Sequence, residues 1–153
     1  MEKNWWIGPA IMLSVDRLTK LWAERILQPI GTTDALPGLF RFTYARNTGA
    51  AFSMLSGNNW ALALVNGVMI AVVLTLLFRA KGLNRLTRWG LLLVATGGLG
   101  NLIDRLVYGY VIDFIELTFM RFAVFNLADV LVSAGTVLAA SGMLIGDKKG
   151  RAA

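Results

Sequence analysis

The chain has 153 residues, of which 56% are hydrophobic and only 16% charged, which excludes an ordinary soluble protein and indicates a single integral membrane domain. It contains no cysteine and no histidine, so thiol nucleophiles, histidine-based triads and metal sites built on either residue are excluded, and carboxylates, lysine and tyrosine remain for acid–base chemistry. The net charge of +6 lies mostly in basic clusters between apolar runs, as in cytoplasmic loops, so nucleic-acid binding is not expected.

Four apolar stretches predict membrane-spanning helices, because each approaches the ~20 residues needed to cross the hydrocarbon core of a bilayer. The first resembles a signal peptide at its start, but no small-x-small cleavage site follows, so we expect it to be retained. The third stretch ends before Gly109, a plausible helix C-cap. The predicted spans cover about residues 5–27, 60–78, 86–108 and 125–145.

The basic residues predict the orientation of these spans. With the N-terminus inside, the inside segments carry eight Lys and Arg residues. The outside segments carry Arg41, Arg46 and Arg121, and Arg105 lies at the boundary. The excess of positive charge on cytoplasmic loops therefore predicts that both termini are cytoplasmic.

Residues 28–59 differ from the spans because turn-forming residues are followed by an alternating pattern. Phe40, Phe42 and Tyr44 alternate with other residues, which predicts a strand, and residues 50–55 follow a turn and are expected to pair back. The result would be a small external sheet lying on the bilayer. We interpret the stretch between the third and fourth spans as a short external turn.

Charged groups inside a span cost about 2.5–3.5 kcal/mol each on insertion scales, so each one needs a reason. Asp16 and Lys20 are four residues apart on one helix face, and we favour a structural ion pair over direct chemistry. Gly97, Gly98 and Gly100 would allow another helix to approach closely. After them, one polar stripe is formed by Asn101, Asp104 and Arg105.

Asp113 and Asp129 are expected at similar depth on the external face, with Asn126 on the same helix face as Asp129. Either acid alone would more often form a salt bridge or cap a helix. Two carboxylates in a low-dielectric site cannot both ionise easily, so one holds a proton near neutral pH. Such a pair can activate water against an amide carbonyl without a metal or a covalent intermediate. We therefore predict an aspartic protease dyad supported by Asn101, Asn126 and Arg105.

The chain resembles the lipoprotein signal peptidases, the type II signal peptidases of bacteria, over nearly its whole length. The resemblance lies in five blocks that occur in the family's order. They are Asp16-Arg17-Leu18-Thr19-Lys20, Asn47-Thr48-Gly49-Ala50-Ala51-Phe52, residues 97–105, Val111-Ile112-Asp113-Phe114 and Phe125-Asn126-Leu127-Ala128-Asp129.

The resemblance implies an all-α inner-membrane protein with four transmembrane helices and a small extracytoplasmic half-barrel sheet between helices 1 and 2. It implies an aspartic endopeptidase that works without metal or cofactor and removes signal peptides from diacylglyceryl-modified prolipoproteins, cutting just before the lipidated cysteine. Membrane phospholipid would be its other partner, and a monomer is expected. Asp113 and Asp129 match the catalytic pair. Substrate-contacting or dyad-holding positions are matched by Asn47, Asn101, Arg105 and Asn126, and supporting polar positions by Asp16, Lys20 and Asp104.

Two other classes compete with a peptidase. A proton-coupled transporter or channel subunit also uses intramembrane acids, but a relay predicts acids spread through the membrane depth and usually an internal repeat. Here the acids cluster at one end and no repeat is found. A purely structural membrane subunit would not need two acids and three polar partners at one face.

Overall fold

The computed structural model describes residues 4–49, 58–80 and 82–151, and side chains as far as residue 145. In chain order, two strands of a small sheet follow the first long helix, and a third strand follows the third long helix. The helices are α1 (Ile7–Trp22), a π-helical turn (Ala23–Leu27), α2 (Gln28–Ile30), α3 (Asn59–Arg79), α4 (Arg85–Val107) and α5 (Leu127–Arg151). The strands are β1 (Thr32–Leu36), β2 (Phe40–Asn47) and β3 (Val111–Leu117).

Three helices of the described chain are long and apolar enough to cross a membrane: α3, α4 and residues 127–145 of α5. Helix α4 lies at the centre of the bundle and packs against α1, α3 and α5. Its neighbours expose large apolar side chains such as Leu64 and Val137, as expected for surfaces in lipid. The predicted second, third and fourth helices are therefore confirmed, with α5 beginning two residues later than expected.

The N-terminal helix differs from the other three because charged residues interrupt its apolar sequence. Helix α1 continues through the π-helical turn into α2, so the chain is helical from Ile7 to Ile30. Asp16 and Lys20 are buried against the bundle, whereas Ile11 and Leu18 point outward. Burying the charges on the protein side leaves an apolar outer face, which gives the four-helix membrane architecture that the sequence predicts.

Glycines allow α4 to approach α5 closely. A Cβ atom at Gly135 would lie 2.6 Å from the carbonyl oxygen of Gly90, and one at Gly90 would meet the α5 backbone. Gly97 faces Ala128 and Val132 in the same way. The expected role of the α4 glycines in close helix packing is therefore confirmed, since Gly98 meets α3 and Gly100 meets α1 and α5 in the same way.

The sheet has the antiparallel order β1-β2-β3. Strand β2 confirms the predicted strand and the position of the sheet between the first and second long helices, but β1 covers residues 32–36, which were expected to form turns. The third strand comes from the stretch between α4 and α5. Our interpretation of that stretch as a short external turn is wrong. Its residues Val111 to Phe114 are buried, and the chain pairs along β2 from Asn47 to Phe40. The predicted pairing of residues 50–55 lies outside the described residues.

Candidate active site

Strand β3 carries Asp113 into the protein interior. Asp113 pairs in register with Ala45 of β2 and is 1% exposed. Its two carboxylate oxygens accept hydrogen bonds from the side-chain amides of Asn47, at 2.8 Å, and Asn126, at 2.6 Å. The two asparagines, one at the end of β2 and one before α5, therefore hold this carboxylate from both sides.

Asp129 is fixed by the start of α5. The side-chain oxygen of Asn126 accepts a hydrogen bond from the backbone N–H of Asp129 at 3.0 Å, and the Asp129 carboxylate accepts one from the backbone N–H of Asn126 at 3.1 Å. This reciprocal pair is a capping box, and it explains why the helix begins at Leu127. The cap uses one carboxylate oxygen of Asp129 and holds the other toward Asn101.

Two asparagines connect the acids. The Asn101 side chain donates to Asp129 at 2.8 Å, and its oxygen accepts from the Asn126 amide at 3.2 Å. Because Asn126 also donates to Asp113, one hydrogen-bonded chain runs from Asp113 through both amides to Asp129. The predicted convergence of these four residues is observed.

Burial and charge favour a proton on Asp113. Burial raises the pKa of Asp113 to about 7, and the neighbouring charge of Asp129 adds to the rise. The hydrogen bonds from Asn47 and Asn126 and the positive charge of Lys20 oppose it. A carboxyl group in this state can hold and release a proton near neutral pH.

Behind the dyad candidates, α1 and α4 share a buried cluster of charges. Lys20 lies 2.9 Å from Asp104 and 3.3 Å from Asp16, so the predicted ion pair is present. Arg17 joins the same acids, at 2.7 Å from Asp104 and 3.0 Å from Asp16. Sequence reasoning missed Arg17, although it lies one position from Asp16 in the quoted block. The result is two acids balanced by two bases.

This charge cluster also holds the elements that carry the dyad candidates. Asp16 accepts the backbone N–H of Ala128 at 3.1 Å, and Asp104 accepts the backbone N–H of Ile112 at 3.3 Å. Lys20 donates to the Asn101 oxygen at 2.8 Å. The cluster thus contacts α5, β3 and the amide chain at the same time.

The three side chains of the predicted polar stripe on α4 have different partners. Asn101 faces the acids and Asp104 faces the charge cluster, while Arg105 donates to the carbonyl oxygen of Gly49 at 3.1 Å. The backbone oxygen of Arg105 accepts from Asn59 at 2.9 Å. Arg105 therefore contacts the chain where it leaves β2, and it forms no ion pair with a described acid.

A cavity of about 300 Å³ opens beside the acids and is lined by Asn47, Asn101, Arg105 and Asp129. Sequence reasoning missed part of its wall, because no motif covers the loop after β3 or this part of α5. The missed lining residues are Phe122, Ala123, Val124, Val132 and Ser133. In the described part of the chain, no group of three acids is placed to hold a metal ion.

Two buried acids joined through side-chain amides, in a chain with membrane-spanning helices and a small sheet, are typical of a membrane hydrolase of the aspartic type. Comparison with known sequences gives the family, since the model of "Signal peptidase (SPase) II" matches residues 9–145. The chain belongs to the signal peptidase II family. Membership confirms the predicted enzyme class, an aspartic-type peptidase that removes signal peptides from lipoproteins, and implies the bacterial inner membrane.

Relatives and solved structures agree with this assignment. A lipoprotein signal peptidase of Nostoc sp. strain PCC 7120 is 42% identical over 137 residues, covering 89% of this chain and 86% of the relative. One from Streptococcus pyogenes serotype M2 is 37% identical over 139 residues, covering 90% and 91%. A bacterial membrane enzyme solved by the in meso method at 2.3 Å resolution has a TM-score of 0.84 at 26% identity, covering 92% of this chain and 87% of the other.

Proposed function

We propose that Asp113 and Asp129 are the catalytic dyad of this signal peptidase. The observation that carries the proposal is the hydrogen-bonded chain from Asp113 through Asn126 and Asn101 to Asp129. It connects Asp113 to Asp129, which lines the cavity, and holds each carboxylate in a single orientation. Because burial and the charge of Asp129 raise the pKa of Asp113 to about 7, we propose that Asp113 holds the shared proton at rest.

The chemistry is attack of water on the scissile amide. The ionised Asp129 takes a proton from water as the water oxygen attacks the carbonyl carbon, and Asp113 gives its proton to the carbonyl oxygen. In the second step the C–N bond breaks. The amide nitrogen receives the proton held by Asp129, and one hydroxyl of the intermediate returns a proton to Asp113. The dyad ends with the one proton it began with.

The proposed substrates are prolipoproteins that already carry a diacylglyceryl group, cut just before the lipidated cysteine. The cavity supports this substrate because it combines polar groups at the dyad with an apolar wall of Phe122, Val124 and Val132. Asn47 and Arg105 would contact the peptide, while Asp16, Lys20 and Asp104 support the dyad from behind. We propose that the enzyme acts as a monomer, with both termini in the cytoplasm and its active site on the outer side.

Cleavage of a diacylglyceryl-modified prolipoprotein by purified enzyme tests the dyad. Asp113→Asn and Asp129→Asn are expected to lose about three orders of magnitude or more in kcat, since each removes a proton-transfer group. Asp34→Asn is the matched control, because Asp34 is an exposed acid on β1 of the same sheet. Thermal melting in detergent shows whether each variant is folded. A folded Asp113 or Asp129 variant with near-normal cleavage would overturn the dyad.

A second substrate separates the lipid requirement from the dyad. The same prolipoprotein without its diacylglyceryl group is expected to be cut at a much lower rate by the wild-type enzyme. Equal cleavage of both forms would contradict the proposed substrate while leaving the dyad intact.

A further inference from the structure

Large apolar side chains project from one end of the sheet although they lie outside the long helices. They come from the turn between β1 and β2 and from the loop after β3, and each is 48–60% exposed. We call this group the sheet tip, and it consists of Leu36, Leu39, Phe119, Met120 and Phe122.

The pairing of the strands brings the two segments together. Leu36 pairs with Phe40, which in turn pairs with Leu117, so the β1–β2 turn and the end of β3 lie side by side. The backbone N–H of Thr118 donates to the carbonyl oxygen of Leu39 at 3.0 Å. The chain returns to the sheet at Phe125, which bridges to Ile115. Residues 118–124 therefore form a loop that extends the sheet at this end.

An apolar surface of this kind marks an interaction site. Its position favours lipid over protein, because the loop runs into the first turn of α5, a helix long and apolar enough to span the membrane. The tip is thus continuous with a lipid-facing element. Its sequence, Phe119-Met120-Arg121-Phe122, places one exposed arginine among the apolar side chains. Arginine at a membrane interface keeps its guanidinium at the phosphate groups while its stem lies in apolar surroundings.

We propose that the sheet tip inserts into the lipid leaflet on the active-site side of the membrane, with Arg121 at the headgroup phosphates. Because Phe122 and Ala123 belong to this loop and also line the active-site cavity, insertion would hold the mouth of the cavity at the level of the lipids. A peptide carrying acyl chains lies at that level. The inference extends the proposed function, but the depth of the tip does not depend on the identity of the dyad.

Depth-dependent fluorescence quenching tests the insertion. Since the chain has no cysteine, single variants Phe119→Cys and Met120→Cys can each carry one environment-sensitive fluorophore in full-length protein. The protein is reconstituted into vesicles of phosphatidylcholine and phosphatidylglycerol that contain acyl-chain nitroxide quenchers, and iodide serves as the aqueous quencher. Two exposed positions calibrate the assay: Val68→Cys on the lipid-facing side of α3 and Thr33→Cys on β1.

Labels at 119 and 120 are expected to be quenched by the acyl-chain nitroxides as strongly as the label at 68, and to be protected from iodide. Quenching by iodide at the level seen for position 33 would overturn the proposal, because the tip would then face water. Protection from both quenchers would also overturn it, since protein would then cover the tip. A concentration-dependent loss of that protection would identify a second copy as the cover.

Activity gives an independent measure. The double variant Phe119→Ser/Met120→Ser is expected to lower kcat/KM about tenfold in vesicles, the factor given by losing partial burial of two large apolar side chains. In detergent micelles its kcat/KM should stay close to that of the wild type. Equal losses in both media would show that the loop acts on the active site directly and would contradict insertion. Loss of the dyad by Asp113→Asn leaves the quenching result unchanged, so the two proposals fail separately.

Discussion

Lys20 fixes the direction of the hydrogen bonds between the two acids, because an ammonium group can only donate hydrogen bonds. It donates to the oxygen of Asn101, so that amide must turn its N–H₂ group toward Asp129 and Asn126 must donate rather than accept. Lys20 is 1% exposed and does not itself contact Asp113 or Asp129 through a hydrogen bond. We therefore regard it as a positioning residue that fixes the direction of the amide chain.

Two uncharged replacements separate this role from simple loss of charge. Lys20→Met removes every donor and is expected to lower kcat by about 10–100-fold, the usual effect of removing a group that orients a functional ligand. Lys20→Gln keeps one donor toward Asn101 and should lose less. The measurement is kcat and KM for the modified prolipoprotein, with melting curves to exclude unfolding. Equal losses in the two variants would contradict a positioning role.

The same variants should shift the pH profile. Burial raises the pKa of Asp113, and the Lys20 charge opposes that rise. Removing the charge therefore raises the pKa further, and the decline of kcat/KM at high pH, which follows loss of the Asp113 proton, should move to higher pH in both variants. A decline at the wild-type pH would show that the Lys20 charge does not reach Asp113.

The raised pKa of Asp113 also predicts how the stability of the folded protein depends on pH. Its pKa rises from 3.8 to about 7 on folding, so the folded protein binds a proton that the unfolded chain has already released. The stability that this group contributes is fully present below pH ~4 and is lost as pH rises through about 7, with a slope of up to about 1.4 kcal/mol per pH unit. Asp113→Asn should lack this slope. Detergent melting of both proteins from pH 4 to pH 8 measures the difference, and parallel curves would contradict burial of a protonated Asp113.

Between elements, packing at Gly100 connects α4 to the charge cluster. A Cβ atom at this position would lie 2.6 Å from a carboxylate oxygen of Asp16 and 3.2 Å from the Cβ of Ala128. There is no room for it unless the Asp16 carboxylate is displaced, and displacement would disturb the contact of Asp16 with the Ala128 backbone. Close packing here serves the charge cluster as well as the helices.

We expect Gly100→Ala to destabilise the protein by about 2–3 kcal/mol, because it overpacks a buried site and displaces a charged group. The matched control is Gly67→Ala in α3, where a Cβ atom would meet nothing within 4 Å. That change should be neutral or stabilising by up to about 1 kcal/mol, the helix propensity of alanine over glycine. Melting temperatures of the two variants in the same detergent decide between these expectations. Equal effects would contradict the close approach at Gly100.

The sequence predicts the long helices well because hydrophobic length is a local property, and α3 and α4 begin and end within a residue of the prediction. Strand β3 was missed because its burial depends on pairing with β2, far away in the chain. The sequence singles out Asp113 and Asp129 as candidate site residues because acidic residues are conspicuous in an apolar chain. Arg17 and the cavity wall at Ala123 are not singled out, since neither has a signal apart from its neighbours in space.

For the protein as a whole, the charges divide between a buried set and an interfacial set. The buried cluster of Asp16, Arg17, Lys20 and Asp104 has two charges of each sign, so the bundle carries little net charge into the membrane. The remaining basic residues lie mostly at helix ends, where Arg79 is the last residue of α3 and Arg88 stacks over Trp5 near the N-terminus. We expect this second group to set the orientation of the bundle in the membrane.

The orientation predicts opposite accessibility for the two ends of the bundle. Because positive residues favour the cytoplasmic side, the α3–α4 connection should be inside and the sheet outside. Thr33→Cys on β1 should therefore react with a membrane-impermeant maleimide in spheroplasts, whereas Arg79→Cys at the end of α3 should react only after lysis. The cysteine-free wild type gives the background, and both residues are exposed, so access to the side chain is not limiting. Reaction of Arg79→Cys without lysis would place the proposed dyad on the cytoplasmic side, where the sheet tip would meet the inner leaflet.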